Sequence, residues 1–359
     1  MVNLSNLFDL GRNLYALPSY YNKLGKALIP LRYFFELTYR CNLRCPYCYV
    51  GNDRAKEELT TEEWYRVIDQ IPWYSFVTLV GGEPLIRKDF IDILMATSKK
   101  VHGKLNVVSN GILINEEIID AFIKSRMMLL SVSLDGYGEN HDKNRAQKGI
   151  FDKIMHNFEM MNSRSKRPLI DIKTIVLENN LDDLVKLYKL CDEMKFNFLS
   201  ISFLRNNDLK QNSVLFDSFV PEFNNNYPID KYFDMEHFKE VYKELESLSK
   251  KSQVKLRFSP KFEYNKDPLK SIENFFNTPA DTPVDEIYEP CRYPFSNMMI
   301  NPAGDVYPCL SQKIGNVKDM SIKEVFNLPK YRCFRKNLKA AKVFGACQMC
   351  CELCVKEGK

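Results

Sequence analysis

The sequence predicts an α/β chain: a partial (β/α)6 TIM-like barrel followed by a small cysteine-rich domain. Two observations carry the prediction. From Tyr33 to about Phe203, six short apolar runs alternate with segments of helical period, as parallel βαβ units require. Beyond Cys291 that alternation stops, and seven of the 11 cysteines fall in the last 69 residues.

The elements follow in order. Strands are expected near 33–38, 75–80, 104–109, 129–134, 170–176 and 198–203, with helices near 61–71, 88–100, 115–125, 150–162 and 181–194. Thr60 with Glu63 has capping-box spacing, and Asn115 and Asn180 stand where N-caps belong. The run 129–134 (LLSVSL) reads as period-free apolar sequence, as in a strand covered on both faces. Reactive groups then belong at the C-terminal strand ends. Residues 205–233 read as a long loop, 235–251 as an amphipathic helix and 253–259 as a further strand. Four units result: an N-terminal helical segment over 1–32, the barrel over 33–260, a linker over 261–290 and the cysteine-rich domain over 291–359. The first unit places Leu4, Leu7, Phe8, Leu14 and Tyr15 on one helical stripe, with Arg12, Lys23 and Lys26 nearby. It reads as a helix packed on the barrel, with peripheral contact to a membrane surface as the alternative.

Composition removes several classes of function. Hydrophobic residues make up 45% and charged residues 27%, too apolar a balance for a mainly disordered chain. Fifty-one basic and 46 acidic side chains leave +5 without long single-sign blocks, which gives nucleic-acid binding no support. No run approaches the ~18–20 apolar residues of a bilayer span. Asp9 and Arg12 interrupt the start too early for a signal peptide. The expected compartment is therefore the cytoplasm, where grouped thiols act as metal ligands or redox groups rather than as structural disulfides.

The first group lies just after the first strand: Cys41, Cys45 and Cys48, spaced C-x3-C-x2-C. Three thiolates from one tight loop can hold three irons of a four-iron cluster and leave the fourth open to another ligand. Structural zinc would want a fourth ligand, and no His or further Cys lies close in sequence.

This loop resembles the hallmark of the radical S-adenosylmethionine (radical SAM) superfamily, and further segments resemble that family in order. Gly81-Gly82-Glu83-Pro84 ends the second strand, Ser109-Asn110-Gly111 the third and Ser133-Leu134-Asp135-Gly136 the fourth, with His141-Asp142 and Arg145 beyond. Singly these read as a turn, a helix entry and a polar strand end; their succession at consecutive strand ends supports the resemblance. The resemblance implies a 4Fe-4S cluster on Cys41, Cys45 and Cys48, whose unique iron chelates S-adenosylmethionine. One electron from the cluster, delivered by a donor such as flavodoxin or ferredoxin, then gives a 5′-deoxyadenosyl radical that takes hydrogen from an unactivated C–H bond. It also implies that Gly81, Gly82, Glu83 and Pro84 border the methionine part, that Ser109, Asn110, Ser133 and Asp135 hold ribose and methionine, and that Arg145 pairs with the cofactor carboxylate. Val176, Leu177 and the Tyr47 backbone would flank adenine. Arg205, after the sixth strand, points to the substrate or is a solvent-facing loop arginine.

In the tail, Cys291 is followed by twelve residues, Gly304, four residues and Cys309, then by Cys347-x2-Cys350. This resembles the SPASM or shorter twitch extension of the same superfamily. A two-cluster extension needs about eight cysteines, so the resemblance implies one auxiliary 4Fe-4S cluster on Cys291, Cys309, Cys347 and Cys350, with Cys354 as substitute for Cys350. Cys351 is spare or serves a partial second cluster, and a zinc knuckle from the 347–354 cysteines is the alternative. Cys191 reads as a core residue, and Cys333 is unassigned. Two substrate classes stand side by side, a ribosomally made peptide and a carbohydrate, lipid-linked or other small molecule. A non-catalytic scaffold and a thiol–disulfide exchanger fit the intact cluster loop poorly.

Overall fold

The computed structural model describes residues 4–48, 50, 57–204, 232–262, 264–279, 281–309 and 313–357. After helix α1 (Leu4–Tyr21), seven strands pair in parallel and in chain order: β1 (Arg32–Thr38), β2 (Phe76–Gly81), β3 (Leu105–Ser109), β4 (Leu129–Ser133), β5 (Leu169–Val176), β6 (Phe198–Phe203) and β7 (Lys255–Ser259). The crossovers carry α2 (Thr61–Gln70), α3 (Phe90–Val101), α4 (Glu116–Ser125), α5 (Glu139–Asn144) with α6 (Ile150–Asn162), α7 (Leu181–Glu193) and α8 (Met235–Ser249). The partial barrel expected from the sequence is therefore present. Arg205 and most of the expected 205–233 loop lie outside the described residues.

Strand faces differ from the expectation in an instructive way. The run 129–134 is covered on both faces as expected, but the faces differ in chemistry: Leu130, Val132 and Leu134 are fully buried, and Ser131, fully buried as well, joins a polar set. Ser131 and Ser200 both donate to the buried carboxylate of Asp171, at 3.3 and 2.6 Å. Serine is small and loses little by burial once hydrogen-bonded, so the alternation is easy to miss in sequence. The barrel thus has an aliphatic outer face under the helices and a polar inner one. Each aliphatic side chain buried there is worth about 1.5–3 kcal/mol. Thr60 and Glu63 form the capping box, and Asn115 caps α4. Asn180 makes no side-chain cap; its amide turns back to the Ile175 and Asp135 carbonyls, at 2.8 and 3.2 Å.

The C-terminal unit continues the same sheet. β8 (Asn297–Ile300) pairs in parallel with β1, and β9 (Asp305–Tyr307) and β10 (Gly315–Asn316) follow antiparallel. The order is β10-β9-β8-β1 through β7, so β1 and β7 are not neighbours. The tail approaches both. Lys261, two residues past β7, bridges to Cys354, and Tyr288 bridges to Val355. Glu352 accepts from Arg32 on β1 at 3.3 Å and from Arg12 on α1 at 3.0 Å.

Where the sequence reads a linker, the structure has α9 (Pro268–Phe276) and α10 (Val284–Ile287). Asp267 caps α9, Pro268 occupies its first turn, and Ile272, Phe275 and Phe276 are buried. That is amphipathic helical spacing masked by flanking prolines and acids. Helix α1 docks on the C-terminal unit rather than on the barrel helices: Ala16 packs with Phe295, Phe334, Leu338 and Phe344. The last three come from α12 (Pro329–Ala341) and the turn after it, which follow α11 (Ile322–Val325). Arg335 of α12 is fully buried and donates to the carbonyls of Pro294, Gly25 and Phe326. Among the described residues no helix is long and apolar enough to cross a membrane.

Burial works against the charge on Glu352, but Arg32, Arg12 and Lys261 outweigh it and hold the carboxyl at about 2. Its contribution is complete above the unfolded value of 4.5 and is lost as pH falls toward 2. Equilibrium denaturation of the metal-free chain should show wild type ahead of Glu352→Gln by up to about 3 kcal/mol near neutral pH. The gap should close in acid; a constant gap from pH 7 to 3 would refute the assignment.

Candidate active site

The three-cysteine loop is fixed by backbone contact with the end of β2. The Gly82 N–H donates to the Thr38 carbonyl at 2.7 Å and the Glu83 N–H to the Arg40 carbonyl at 2.9 Å. A Cβ on Gly81 would sit 2.3 Å from the Thr38 oxygen, and one on Gly82 2.3 Å from the Arg40 oxygen. The two glycines are thus required by the approach of the 38–40 backbone. Arg87 braces the other side: it donates to the Leu37 and Leu59 carbonyls and pairs with Asp89 and Glu58. Glu58 also accepts from Arg40 through two nitrogens and from Thr38. Burial would raise its pKa, but the Arg40 and Thr38 hydrogen bonds keep the carboxyl below its usual range.

Cys41, Cys45 and Cys48 are all half-buried. Donors point at two of the sulfurs. The Leu43 N–H lies 3.4 Å and the Asn110 amide 3.9 Å from Cys41 Sγ. Arg145 lies 3.7 Å from Cys45 Sγ. Burial raises the Cys45 pKa, and the Arg145 charge opposes that rise. Such donors favour the thiolate, the form that binds metal.

Behind the loop the strand ends interlock. Glu83 is fully buried and accepts from the Asn110 N–H at 2.7 Å, the Ser109 hydroxyl at 2.9 Å and the Leu85 N–H at 3.1 Å. Asn110 reaches Asn42 of the cysteine loop at 2.8 Å. Asp135 is also fully buried; it accepts from the Tyr47 hydroxyl at 2.6 Å and the Ile175 N–H at 2.8 Å, and pairs with Arg145 at 2.5 Å. Burial would lower the Arg145 pKa, yet Asp135 and Tyr47 keep it above the ordinary arginine value. Its Nε is buried with no hydrogen-bond partner. His141 accepts from the Asp135 N–H at 3.1 Å, and burial and Arg145 push its pKa down to about 4, so the ring is neutral at pH 7.

Two stretches of the chain match family models, one of them containing these thiols, the buried acid and the buried arginine. Residues 35–191 match the radical SAM superfamily and 291–351 an iron-sulfur cluster-binding domain, SPASM. The chain carries a radical SAM domain followed by a SPASM domain. Among curated proteins it is 30% identical over 199 residues to Fe-coproporphyrin III synthase of Methanosarcina barkeri, covering 54% of this chain and 49% of that protein. It is 29% identical over 168 residues to the sporulation killing factor maturation protein SkfB of Bacillus subtilis, covering 46% and 40%. The alignments therefore span half or less of these relatives. In fold it is similar to Streptococcus suis SuiB, with TM-score 0.64, 18% identity and coverage of 98% of this chain and 78% of that one.

The radical SAM assignment brings a 4Fe-4S cluster to the first loop, and the donor set suits it. Among the described residues no three His, Cys, Asp or Glu side chains converge as for a single ion. A cluster several ångströms across instead needs thiols that surround a space. In the SPASM segment Cys291, Cys309 and Cys347 pack against one aromatic cluster of Phe295, Phe334 and Phe344. Burial, then the neighbouring Cys347, pushes the Cys291 thiol up. Cys350 packs on the main core, as Cys291 and Cys347 also do. Cys351, left spare by the spacing, lies near Tyr293 together with Cys309. The Cys354 carbonyl accepts from the Glu289 N–H at 3.0 Å. Cys191 is fully buried in α7, as the sequence suggests, and Cys333 is exposed.

Most residues singled out in the sequence come together here. Ser133 and Pro84 close the same strand ends, with Pro84 starting a 3₁₀ turn. Val176 does not face the site: its side chain is buried in the main core, and by strand alternation Ile175 takes the inner position beside Asp135. Leu177 hydrogen-bonds through its N–H to Asn180. The tyrosine side chain of Tyr47, the brace of Glu58 and Arg87, and Asn180 were missed, since none carries a motif of its own.

Burial lifts the Glu83 pKa to about 7 despite its three hydrogen bonds. The sign is opposite to that of Glu352. Below 4.5 the burial costs nothing, and stability is lost as pH rises from there through about 7. Metal-free Glu83→Gln should therefore gain on wild type by about 3 kcal/mol across that window in equilibrium denaturation; an unchanged difference would refute it. Gly82→Ala should displace the Thr38–Arg40 backbone and cost at least about 2 kcal/mol. Iron analysis should show loss from the first loop alone.

Proposed function

We propose that the chain is a radical enzyme that takes a hydrogen atom from an unactivated C–H bond of a peptide substrate, with an auxiliary cluster assisting redox or substrate binding. The observation that carries the reading is the buried Asp135–Arg145 pair set against Cys45 and Tyr47. When bound, the 4Fe-4S cluster and S-adenosylmethionine supply the 5′-deoxyadenosyl radical, with an electron from a flavodoxin or ferredoxin. Cys41, Cys45 and Cys48 would hold the cluster, and the Arg145 Nε, buried without a partner, would take the cofactor carboxylate. Glu83 would neutralise the cofactor ammonium, which returns its raised pKa toward the usual range. Tyr47, fixed by Asp135, would border the adenine side with Ile175 and Leu177. These groups position the reactants and keep water away from a reactive intermediate.

The peptide reading is supported by the likeness to a maturation protein, SkfB, and to SuiB, a protein whose structure is also known with its precursor peptide SuiA. A second reading, a small organic molecule, is favoured by the likeness to Fe-coproporphyrin III synthase. For the auxiliary cluster we propose Cys291, Cys309 and Cys347, with the fourth thiolate drawn from Cys350, Cys351 or Cys354.

Anaerobically reconstituted protein should hold about eight irons and, once reduced, release 5′-deoxyadenosine from S-adenosylmethionine. Replacing Cys41, Cys45 and Cys48 together by Ala should remove half the iron and all of that product while the auxiliary cluster keeps its spectrum. Product formation by the triple variant, or none by fully loaded wild type, would overturn the reading. Deuterium transfer into 5′-deoxyadenosine from a labelled peptide, but not from a porphyrin, separates the two substrate classes.

A further inference from the structure

We infer that the N-terminal strand-end face of the barrel, opposite the candidate site, docks on an anionic lipid bilayer. Seven connections run from a helix into a strand on this face: 22–31, 71–75, 102–104, 126–128, 163–168, 194–197 and 250–254. Together they hold ten Lys or Arg residues and no Asp or Glu; the connection 288–296 into β8, which runs parallel to β1, adds Glu289 and Arg292. Lys23, Lys26, Arg126, Lys166 and Lys195 are exposed. Among the described residues only Arg164 and Lys250 of the ten lie in an ion pair. The connections at the other strand ends mix the two signs, with Glu58, Glu83, Asp89 and Asp135 beside Arg40, Arg44, Arg87, Lys88 and Arg145. Cations without a neighbouring carboxylate are therefore concentrated at the base, within a net charge of only +5.

Exposed apolar side chains occupy the same face. Leu24 and Leu28 precede β1, Trp73 and Tyr74 precede β2, Met128 precedes β4, and Leu169 begins β5; their exposures run from 36% to 63%. The patch extends onto α1, whose Tyr15 lies beside Tyr74 and whose Leu10 and Leu14 are each 56% exposed. The Lys104 ammonium sits 5.4 Å from the Trp73 ring centroid. Helix macrodipoles favour cations at helix C-termini and account for part of the charge bias. They give no reason for Leu, Met and Trp side chains to stand in water there. A polyanion such as RNA would be met by the cations alone. A bilayer surface uses both features, with Trp and Tyr at headgroup level, leucines just below and lysines on anionic headgroups. With no membrane-crossing helix among the described residues, the contact is peripheral, and it leaves the candidate site facing away from the lipid.

The test is flotation of the reconstituted full chain with two vesicle types, phosphatidylcholine alone and an equal mixture with phosphatidylglycerol. Binding is expected only to the anionic vesicles, with release by high salt. Lys23→Ala and Lys26→Ala should each weaken partitioning about fivefold, and Trp73→Ala should weaken it further, all with unchanged iron content. No flotation, equal flotation with both vesicle types, or tighter binding to a single-stranded RNA oligonucleotide would overturn the proposal. So would a dimeric mass in solution that Leu24→Glu with Leu28→Glu abolishes, since a second copy of the chain would then cover the face. These readouts need no catalysis, so their failure is distinct from failure of the radical chemistry.

Discussion

The buried ion pair between Asp135 and Arg145 is the constraint on which the candidate site depends. Asp135 stands at the end of β4 and binds, through side chain and backbone, the cysteine loop by Tyr47, β5 by the Ile175 N–H, α5 by His141 and Asn144, and the start of α7 by Asn180. Arg145 carries the same link on to Cys45. A buried pair of this kind gains little over a packed apolar pair, but leaving one partner alone costs roughly 3–5 kcal/mol. Its value is therefore geometric. It fixes several chain segments in one arrangement, and a site that must seat two cofactors against each other needs that fixity.

The second constraint acts from the opposite side of the cysteine loop and is steric. The 38–40 backbone packs so closely on Gly81 and Gly82 that no side chain fits between. The resemblance implies that these glycines border the methionine part of the cofactor, and the same two positions also admit the protein's own 38–40 backbone. The strands, the capped helices and the three-cysteine loop were legible because each rests on local spacing, which survives in one dimension. Val176, Asn180 and the α9 helix were not. Their roles depend on which face a strand turns inward, on a side chain folding back across a loop, and on a hydrophobic surface supplied by residues far away in sequence.

The same limit applies to the cysteine-rich tail. Its spacing gives a cluster-binding unit, yet nothing in it announces that β8 pairs in parallel with β1 or that Glu352, next to Cys351, reaches Arg12 and Arg32. These contacts make the tail part of the barrel's closure. A shift of the 347–354 segment would move both the auxiliary thiols and the edge of β1, which leads directly into Cys41. The two cysteine groups thus meet one strand at opposite ends: Cys41 follows the end of β1, and Glu352, beside Cys351, reaches Arg32 at its start.

A β/α barrel separates its two ends by the length of its strands, and this chain uses the separation. The C-terminal ends hold the thiols and the paired charges, Asp135 with Arg145 and Glu58 with Arg40 and Arg87; the N-terminal ends hold mostly unpaired cations and exposed apolar groups. The strands between them pack an apolar outer face against the helices and a polar inner face on itself, so the two ends are spatially separate. Attachment at the base would therefore leave the buried Asp135–Arg145 pair intact. The converse holds as well: the polar interior that the site requires places no demand on the residues at the base. Helix dipoles account for part of the lysine and arginine there, whereas the exposed leucine and tryptophan call for something the base itself meets.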